Sequence, residues 1–499
     1  MLSWIALTTP HGNPVLSAFR AHPRVMASPR HFDCIVIGSG QAGTPLAAAL
    51  AKGGRKTALI ERIHIGGCCV NEGCTPTKTM VASGRAAYLT RRGADYGIHT
   101  PGGEDGKISI DMLRVRQRKR DIVNSFRSGN ESRIQSAGVE ILMGEASFGD
   151  SKSLHVKLSD ESVTNVTADE IFINTGERPA RPELPGTQHL DPARVLDSTS
   201  IQELGEVPGH LIVLGGGYVG LEFAQLFRRL GSAVTVIQRN SQLLPREDQE
   251  IAKSVLDILR EDGLTVHLEA NATSVSSSGE AISLTCQLKN GKEEIVNGTH
   301  LLFAAGRVPN TEMLNLNSAG IKTNSKGYIV ANDKLETTAP GVYVLGDAKG
   351  PPAFTHISYD DFRIIQANLI TKSTPQATTR NRLVPYVVYT DPQLGHVGLH
   401  EHEARSQFPG RNIKTARMPM EYVARALETD EARGMMKAVI DGDTGEILGF
   451  TCLGVEGGEI MSIVEMAIIG KVGYEKLRDA VWAHPALAES LNNIWGYLK

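Results

Sequence analysis

The run CIVIGSGQAGTPLAAALAK, residues 34–52, decides the fold. Its apolar start predicts a short strand, the glycine-rich middle predicts a tight turn, and the alanine-rich remainder predicts a helix. The run TALIE at residues 57–61 supplies a second strand and completes a βαβ unit. Gly38, Gly40 and Gly43 suit a turn in which a dinucleotide pyrophosphate approaches the backbone and the helix N-terminus.

A second copy of this pattern lies farther along the chain. The run LIVLGGGYVG, residues 211–220, is followed by a helical segment and by the apolar strand AVTVI at residues 233–237. Two glycine motifs, each preceded by a strand and followed by a helix, are far more specific than one. The sequence therefore predicts two dinucleotide-binding units, the second built on Gly215, Gly217 and Gly220.

The residues that end the second strand of each unit differ, and this difference indicates two different ligands. Glu61 ends that strand in the first unit, where a carboxylate accepts hydrogen bonds from adenosine ribose hydroxyls. In the second unit the matching position is Gln238, and Arg239 follows it. An amide beside a guanidinium accepts a 2′-phosphate that a carboxylate would repel. We therefore expect NADPH rather than NADH in the second unit.

The composition is that of an ordinary globular protein. Of the 499 residues, 41% are hydrophobic and 21% charged, and the formal net charge is −3. This charge gives no reason to expect nucleic acid or a membrane surface as a partner. No run of 18 apolar residues occurs, so no membrane-spanning helix is expected. The basic run at residues 114–120 is interpreted as an exposed helical face.

The N-terminal residues 1–30 differ in composition from the rest. They contain arginine but no acidic residue, and they lack the basic start of a secretory signal. We expect a disordered extension and a cytoplasmic protein. The alternative is a mitochondrial protein, in which this segment is a transit peptide.

A cluster of three of the six cysteines directly follows the first βαβ unit. Cys68, Cys69 and Cys74 lie in the run CCVNEGCTPTK, where the threonine and proline after Cys74 suit a helix start. A helix N-terminus favours a thiolate at Cys74. Zinc bound with His64 is one interpretation, but the spacing is poor for zinc. A redox disulfide between Cys69 and Cys74 fits better.

With these motifs, the chain from about residue 33 to the C-terminus resembles the pyridine-nucleotide–disulfide oxidoreductases. This family includes glutathione reductase, dihydrolipoamide dehydrogenase and mercuric reductase. Further runs that carry the resemblance are NTG at 174–176, AAGRVPN at 304–310, VYVLGD at 342–347 and HPALAE at 484–489.

The resemblance implies an α/β fold with two Rossmann-like domains, for FAD and NAD(P)H, and a C-terminal α+β dimerisation domain. The expected divisions are an extension at 1–30, an FAD-binding domain at 31–180 that returns at 306–378, an NAD(P)H-binding domain at 181–305 and an interface domain at 379–499.

The resemblance also implies cofactor-binding roles. Gly38, Gly40, Gly43 and Glu61 would hold FAD, with Asp347 on its ribityl chain, while Tyr218 would cover the nicotinamide pocket. The remaining expected cofactor contacts are Gly67, Thr175, Gly176, Arg307, Gly215, Gly217, Gly220, Gln238, Arg239 and Gly306.

The catalytic roles implied by the resemblance centre on the cysteine pair. Cys74 would be the sulfur next to the flavin, and Cys69 the sulfur that exchanges with substrate. Lys78 would lie near flavin N5, paired with Glu222. His484, oriented by Glu489, would be the acid/base supplied by the other subunit of a homodimer, and no resident metal is expected.

Four departures from the family pattern limit what can be said about the substrate. Cys68 stands where the family usually has Thr or Ser, and Glu177 where a small residue is common. Trp482 and Gln238 argue against dihydrolipoamide dehydrogenase. The C-terminus lacks the cysteine pair of true mercuric reductases, although the chain looks most like that branch.

Three functions therefore stay open. The favoured one is electron transfer from NAD(P)H through FAD and the dithiol to a disulfide, metal-ion or quinone-like acceptor. The runner-up is dihydrolipoamide dehydrogenase. A flavin-bound redox sensor or structural dimer with negligible turnover is the alternative from another class.

Overall fold

The structure is a computed structural model that describes residues 29–99 and 108–499. In these ranges the strands are β1 (Arg30–Ile37), β2 (Thr57–Glu61), β3 (Glu140–Phe148), β4 (Ser153–Leu158), β5 (Val163–Ile173), β6 (Glu177–Pro179), β7 (Val195–Leu196), β8 (His210–Leu214), β9 (Ala233–Ile237), β10 (Thr265–His267), β11 (Ala270–Ser278), β12 (Ala281–Leu288), β13 (Glu293–Gly298), β14 (His300–Phe303), β15 (Arg307–Pro309), β16 (Val342–Val344), β17 (Tyr386–Val388), β18 (Gln393–Gly398), β19 (Ile413–Pro419), β20 (Met435–Asp441) and β21 (Ile447–Gly454).

The α-helices of the same ranges are α1 (Gly43–Lys52), α2 (Gly67–Asn71), α3 (Cys74–Arg91), α4 (Met112–Ser136), α5 (Tyr218–Leu230), α6 (Gln249–Glu261), α7 (Thr355–Ile365), α8 (Glu401–Gln407), α9 (Ala424–Glu428), α10 (Gly457–Ile469), α11 (Tyr474–Arg478) and α12 (Ser490–Asn493). Among the described helices, none combines the length and apolar composition needed to cross a bilayer.

The first predicted βαβ unit lies in a parallel sheet. Its neighbouring strands run in the order β3, β2, β1, β5, β16. Beyond the parallel part, β3 and β5 both continue and pair antiparallel with β4. The second half of β1, Cys34–Ile37, is apolar because both of its faces are buried, one against α1 and the other against the segment at residues 314–339. Helix α1 ends at Lys52 and β2 spans Thr57–Glu61, as the sequence predicts.

The second predicted unit forms a separate parallel sheet, ordered β10, β9, β8, β14, β7. Strand β8 lies at the centre and leads through the second glycine turn into α5. The antiparallel strands β11, β12 and β13 form a small sheet beside it. The order in both large sheets is that of doubly wound dinucleotide-binding domains.

A short antiparallel ladder joins the two parallel sheets. Strand β6, on the way out of the first unit, pairs with β15, on the way back, so that Glu177 lies opposite Pro309 and Pro179 opposite Arg307. The chain therefore enters and leaves the second unit at adjacent points. The predicted domain limits lie near this ladder and stay a prediction, and most of the predicted extension lies outside the described residues.

The C-terminal segment forms an antiparallel sheet ordered β17, β18, β21, β20, β19. Helix α10 packs on β18 and β21, and its core includes Phe450, Met461 and Trp495. This α+β unit agrees with the predicted architecture. Its contact with the second unit places β17 beside the cavity described below.

Helix α4 contains the basic run, and the interpretation of that run as a purely solvated face is wrong. Lys119 is buried and pairs with Glu203. Arg120 binds the same carboxylate, and Arg118 donates to the backbone oxygen of Thr79 at 2.7 Å. Because these cations are used to hold α4 against its neighbours, the charge pattern alone could not show their role.

Candidate active site

A cavity of about 660 Å³ lies where the two parallel-sheet units meet the C-terminal unit. Thirteen of the predicted site residues line it: Gly38, Gly40, Glu61, Gly67, Cys69, Cys74, Lys78, Thr175, Gly176, Tyr218, Glu222, Arg307 and Asp347. The other predicted residues, which are outside its lining, are Gly43, Gly215, Gly217, Gly220, Gln238, Arg239, Gly306, His484 and Glu489.

The glycine turns have the close approaches that dinucleotide binding requires. A Cβ on Gly43 would lie 2.0 Å from the Gly38 oxygen, and a Cβ on Gly220 would lie 2.2 Å from the Gly215 oxygen. A side chain at either position would therefore push the helix away from its strand. A Cβ on Gly217 would meet no atom within 4 Å, so this position is open toward the space before α5.

Glu61 is fixed at the edge of the first turn. Its Oε2 accepts hydrogen bonds from the backbone N–H of Ser39 at 3.0 Å and from the Ser39 hydroxyl at 2.6 Å. Its Oε1 accepts from the backbone N–H of Ile63 at 2.9 Å. The carboxylate therefore lines the cavity in a set orientation with capacity left for ribose hydroxyls.

The corresponding position of the second unit is used differently. Gln238 is buried, and its side-chain amide donates to the backbone oxygen of Gln242 at 2.9 Å. Its Oε1 lies 3.4 Å from the backbone nitrogen of Gly216, so the side chain supports the glycine turn. Arg239 is exposed at the end of β9.

Two polar groups that line the cavity are available to a ligand. The Thr175 hydroxyl oxygen is buried without a hydrogen-bond partner among the described residues. Asp347 lines the cavity, and burial raises the pKa of its carboxyl to about 6, with Glu177 adding to the effect. Both groups suit a ligand that carries hydroxyls and amides, which FAD does. The residues present therefore fit a bound FAD.

The two cysteines of the predicted redox pair lie where α2 meets α3, with Cys69 in α2 and Cys74 as the first residue of α3. All six cysteines are free thiols in the structure, so the pair is described as a dithiol. The Cys69 thiol donates a hydrogen bond to Cys74, which lowers the pKa of Cys74 to about 6 against the effect of burial. The Lys78 charge and Thr355, whose Oγ1 lies 3.4 Å from the Cys74 sulfur, act in the same direction.

The same hydrogen bond, together with burial, raises the pKa of Cys69. At neutral pH the pair is therefore a thiolate at Cys74 and a thiol at Cys69. Cys74 is open to the cavity. Thr355 was not predicted as a site residue.

Cys68 and Glu177, two departures from the family pattern, meet at Arg307. The Arg307 guanidinium donates to the Cys68 sulfur at 3.4 Å and to the backbone oxygen of Glu177 at 2.8 Å. Glu177 is buried and also accepts from the Tyr328 hydroxyl at 2.6 Å. Burial raises the pKa of Cys68 to about 11, although Arg307 opposes this. Cys68 is therefore a neutral thiol, and Glu177 orients Arg307.

The ligand atoms of the cysteine cluster do not converge on a zinc site. The groups of described residues whose metal-binding atoms lie within 4.8 Å of one another lie elsewhere in the chain. The favoured redox interpretation of Cys69 and Cys74 agrees better with their mutual hydrogen bond.

Lys78 is the positive charge nearest the thiolate. Its ammonium lies 2.5 Å from Glu222 Oε2, and Glu222 is buried. Burial disfavours the ammonium, but the charge of Glu222 and the Cys74 sulfur raise the pKa of Lys78 above its usual value. Glu222 is held in turn by the backbone N–H of Tyr389 at 2.9 Å.

A row of aromatic rings borders the cavity next to the start of α5. Tyr218 lies 6.3 Å from Phe354 between ring centroids, and Phe354 stacks on Tyr386 at 5.8 Å with an angle of 6°. Tyr218 is exposed to the cavity. Phe354 and Tyr386 were not predicted from the sequence, because nothing in their local pattern distinguishes them from core aromatics.

His484 and Glu489 form a pair at the far end of the C-terminal unit. The Nδ1 atom of His484 lies 2.9 Å from Glu489 Oε2 and 3.1 Å from Oε1. The imidazole is exposed, which leaves its Nε2 atom open. The contact fixes the ring orientation, as a carboxylate does for a catalytic histidine.

Comparison with known proteins agrees with this geometry. Residues 32–361 match the model of the pyridine nucleotide-disulphide oxidoreductases, and residues 384–494 match the dimerisation domain of the same family. A probable pyridine nucleotide-disulfide oxidoreductase RclA of Escherichia coli is 35% identical over 94% of this chain and 99% of its own. A mercuric reductase of Staphylococcus aureus is 33% identical over 92% of this chain and 81% of its own.

A solved structure gives the same result. The Cu(II) complex of the HOCl-induced flavoprotein disulfide reductase RclA from Escherichia coli has a TM-score of 0.84 and 34% identity, covering 94% of this chain and 99% of its own. The predicted family, α/β architecture and cofactors FAD and NAD(P)H are confirmed. The chain therefore belongs to the pyridine nucleotide-disulfide oxidoreductases, flavoprotein enzymes that work with FAD and NAD(P)H.

Proposed function

We propose that this enzyme uses NADPH to reduce the Cys69–Cys74 disulfide and that the resulting dithiol reduces a thiophilic metal ion, with Cu²⁺ as the first candidate. The observation that carries the proposal is the position of Cys69 and Cys74, which both line the cavity beside Lys78, and the lowered pKa of Cys74 supports it. When bound, FAD supplies the two-electron relay between the nicotinamide and this pair.

The chain's own residues support the reductive half of the cycle. Lys78, held by Glu222, places a positive charge beside Cys74, where it stabilises the thiolate. The first nucleotide would find hydrogen-bond acceptors in the carboxylates of Glu61 and Asp347 and a donor in the hydroxyl of Thr175. For the second nucleotide, we propose that the exposed Arg239 binds the 2′-phosphate of NADPH.

The oxidative half of the cycle returns the pair to a disulfide. Two Cu²⁺ ions each accept one electron, the sulfur–sulfur bond forms, and the single proton of the pair leaves from Cys69 through His484 to solvent. With a disulfide acceptor, Cys69 attacks one sulfur, and the Cys74 thiolate then attacks Cys69, which releases two thiolates in turn. In this case His484, oriented by Glu489, takes the Cys69 proton and gives it to the first departing thiolate, while the second takes a proton from solvent.

The acceptor class rests on two similarities as well as on the thiols. One similar enzyme has been solved as a Cu(II) complex, and another is a mercuric reductase. Cys68 does not take part in our proposal, because burial keeps it neutral although Arg307 lies against its sulfur.

We further propose a homodimer in which His484 of one copy reaches the Cys69 of the other. The dimerisation-domain match and the exposed imidazole support this arrangement. Met466, Ile469 and Val481 are exposed apolar side chains of the same unit, as an interface would require.

The test is to reduce the FAD-loaded enzyme anaerobically with one equivalent of NADPH and to time its reoxidation. Cu²⁺, Hg²⁺, oxidised glutathione, lipoamide and a quinone are compared, with Cys69→Ser as the control for acceptor reduction through the pair. We expect Cu²⁺ to reoxidise the enzyme faster than the other acceptors do. In Cys69→Ser, the reoxidation rates with the five acceptors should no longer differ. Fastest reoxidation by lipoamide would favour dihydrolipoamide dehydrogenase, and no reduction by NADPH would favour the redox sensor.

A further inference from the structure

A second cluster of chemically reactive side chains lies behind Tyr386, on the side away from the cavity. Glu247, His396 and His400 each place one ligand atom within 4.8 Å of the others. All three are buried, with relative exposures of 6%, 2% and 5%. Glu247 precedes α6 in the second unit, whereas the histidines flank the end of β18 in the C-terminal unit. The cluster therefore joins two parts of the fold.

Glu247 has an unused ligand position in this cluster. Its Oε1 accepts a hydrogen bond from the Tyr386 hydroxyl, but its Oε2 is buried without a partner among the described residues. An unpartnered buried carboxylate oxygen is costly. A cation beside Oε2 would remove this cost.

Both imidazoles have a ring nitrogen that a metal ion could use. The Nδ1 atom of His400 is buried without a hydrogen-bond partner among the described residues. The Nδ1 atom of His396 lies 2.8 Å from Thr451 Oγ1, which is the outer contact that orients a ligating histidine. Metal binding at the Nε2 atom of His396 would replace one contact, at 3.2 Å to the backbone oxygen of Gly398.

The nearby cation does not occupy the cluster. The Lys437 ammonium lies 2.8 Å from Asp248 Oδ2, 2.7 Å from Glu250 Oε1 and 2.8 Å from Glu401 Oε2. Glu250 and Glu401 also pair with Arg417 and Arg405, so these carboxylates are balanced by cations outside the cluster.

His402 is an exposed neighbour of the cluster. Its ring stacks on that of His400 with centroids 5.8 Å apart, and its Nδ1 lies 3.6 Å from Asp248 Oδ1. An exposed imidazole and a carboxylate therefore lie next to the buried donors.

We propose that Glu247, His396 and His400 bind one divalent transition-metal ion, which ties the second unit to the C-terminal unit behind the cavity. Two imidazoles and a carboxylate form a donor set that suits Zn²⁺ and its neighbours in the first transition series. The site has no part in the proposed electron transfer, since its donors are not among the residues that line the cavity.

A second group in the chain provides a matched control. His31, Asp33 and Asp169 also bring ligand atoms within 4.8 Å of one another, but His31 and Asp169 are exposed. Asp33 is already bonded to the backbone N–H of Lys56 at 2.7 Å. We expect no specific metal binding there.

The test uses the chelator-treated, FAD-loaded enzyme with its redox pair oxidised, so that the pair does not compete as thiols. Zn²⁺ is titrated calorimetrically into the unchanged enzyme and into the variants Glu247→Gln, His400→Asn and His31→Ala. Co²⁺ is added separately to record its ligand-sensitive absorption. Flavin content and melting temperature show that each variant is folded.

We expect one Zn²⁺ per chain, a loss of affinity of about 10-fold or more in Glu247→Gln and His400→Asn, and no change in His31→Ala. The Co²⁺ spectrum should lack the intense thiolate band. Glu247→Gln is almost isosteric, so a folding failure is not expected to mask the result. Unchanged affinity in both cluster variants, or a thiolate band in the Co²⁺ spectrum, would overturn the proposal.

Discussion

Lys78 Nζ lies 2.5 Å from Glu222 Oε2, and this contact joins α3 of the first unit to α5 of the second. The same ammonium lowers the pKa of the Cys74 thiol. A single ion pair thus connects the packing of the two units with the ionisation of the redox sulfur.

Replacing Lys78 with Met should raise the pKa of Cys74 from about 6 toward that of an ordinary cysteine. Because the thiolate loses its nearest positive charge, less of it is present at pH 7. The measurement is a pH titration of thiolate absorbance near 240 nm in the reduced protein. Lys78→Arg keeps the charge and should change the titration little, while an equal shift in both variants would contradict the electrostatic explanation.

Cys69→Ser should leave Cys74 as a thiolate, because the serine hydroxyl still donates a hydrogen bond to it. Cys69→Ala removes that donor, and the pKa of Cys74 should rise. The readout is the long-wavelength charge-transfer absorbance of the oxidised flavoprotein, followed against pH. Cys74→Ser should show no such band, and a band that persists in this variant would refute the assignment of Cys74 as the flavin-side sulfur.

His484→Ala should slow reoxidation by substrate by about 100-fold while flavin reduction by NADPH stays near normal. Stopped-flow recording of the two half-reactions separates these effects. Glu489→Gln should show a smaller loss and an altered pH profile, since the glutamine no longer stabilises the imidazolium. Equal slowing of both half-reactions would assign His484 a different role.

Arg239→Glu should lower kcat/KM for NADPH by about 10- to 100-fold and change that for NADH much less, because a charge-assisted contact with the 2′-phosphate is lost. Steady-state kinetics with both nucleotides is the measurement. Lys253→Glu reverses the charge of an exposed side chain on α6 and serves as control. A preference for NADH in the unchanged enzyme would contradict the proposed specificity.

Asp391→Asn should lower the free energy of unfolding by about 3 kcal/mol, because it leaves Arg229 buried with a weaker partner. Asp391 binds both Arg85 and Arg229, so it connects α3 and α5 with the C-terminal unit. Although burial opposes ionisation, the two guanidinium groups lower the pKa of this carboxyl. Its contribution is therefore present above the unfolded pKa of about 3.9 and is lost as the pH falls through the folded value. Thermal melting of both proteins between pH 3 and pH 7 would check this.

Much of the molecule follows from short-range patterns in the sequence. The strand–turn–helix runs at residues 34–61 and 211–237 define both parallel units, because Gly43 and Gly220 let each helix pack on the turn that precedes it. The spacing of Cys69, Cys74 and Lys78 likewise places them on one turn and the helix that follows. These features depend on neighbours within a few residues, which a sequence displays directly.

The features that sequence reasoning missed depend on distant contacts. Glu177 had no explanation until Arg307 and Tyr328 were found against it, from segments more than a hundred residues away. Thr355 meets Cys74 across the cavity, and Lys119 is buried by Glu203 from another loop. The role of a buried polar side chain depends on the partner that tertiary folding places beside it, and a local sequence pattern does not identify that partner.

The ladder between β6 and β15 has a consequence for engineering. Because the chain departs at Pro179 and comes back at Arg307 on paired strands, the intervening segment resembles a cassette with both of its ends clamped side by side. Replacing residues 180–306 with the equivalent segment of a relative should transfer the nucleotide preference of that relative and leave the cysteine pair unchanged. The replacement must keep a glutamate at the position of Glu222, because Lys78 pairs with it.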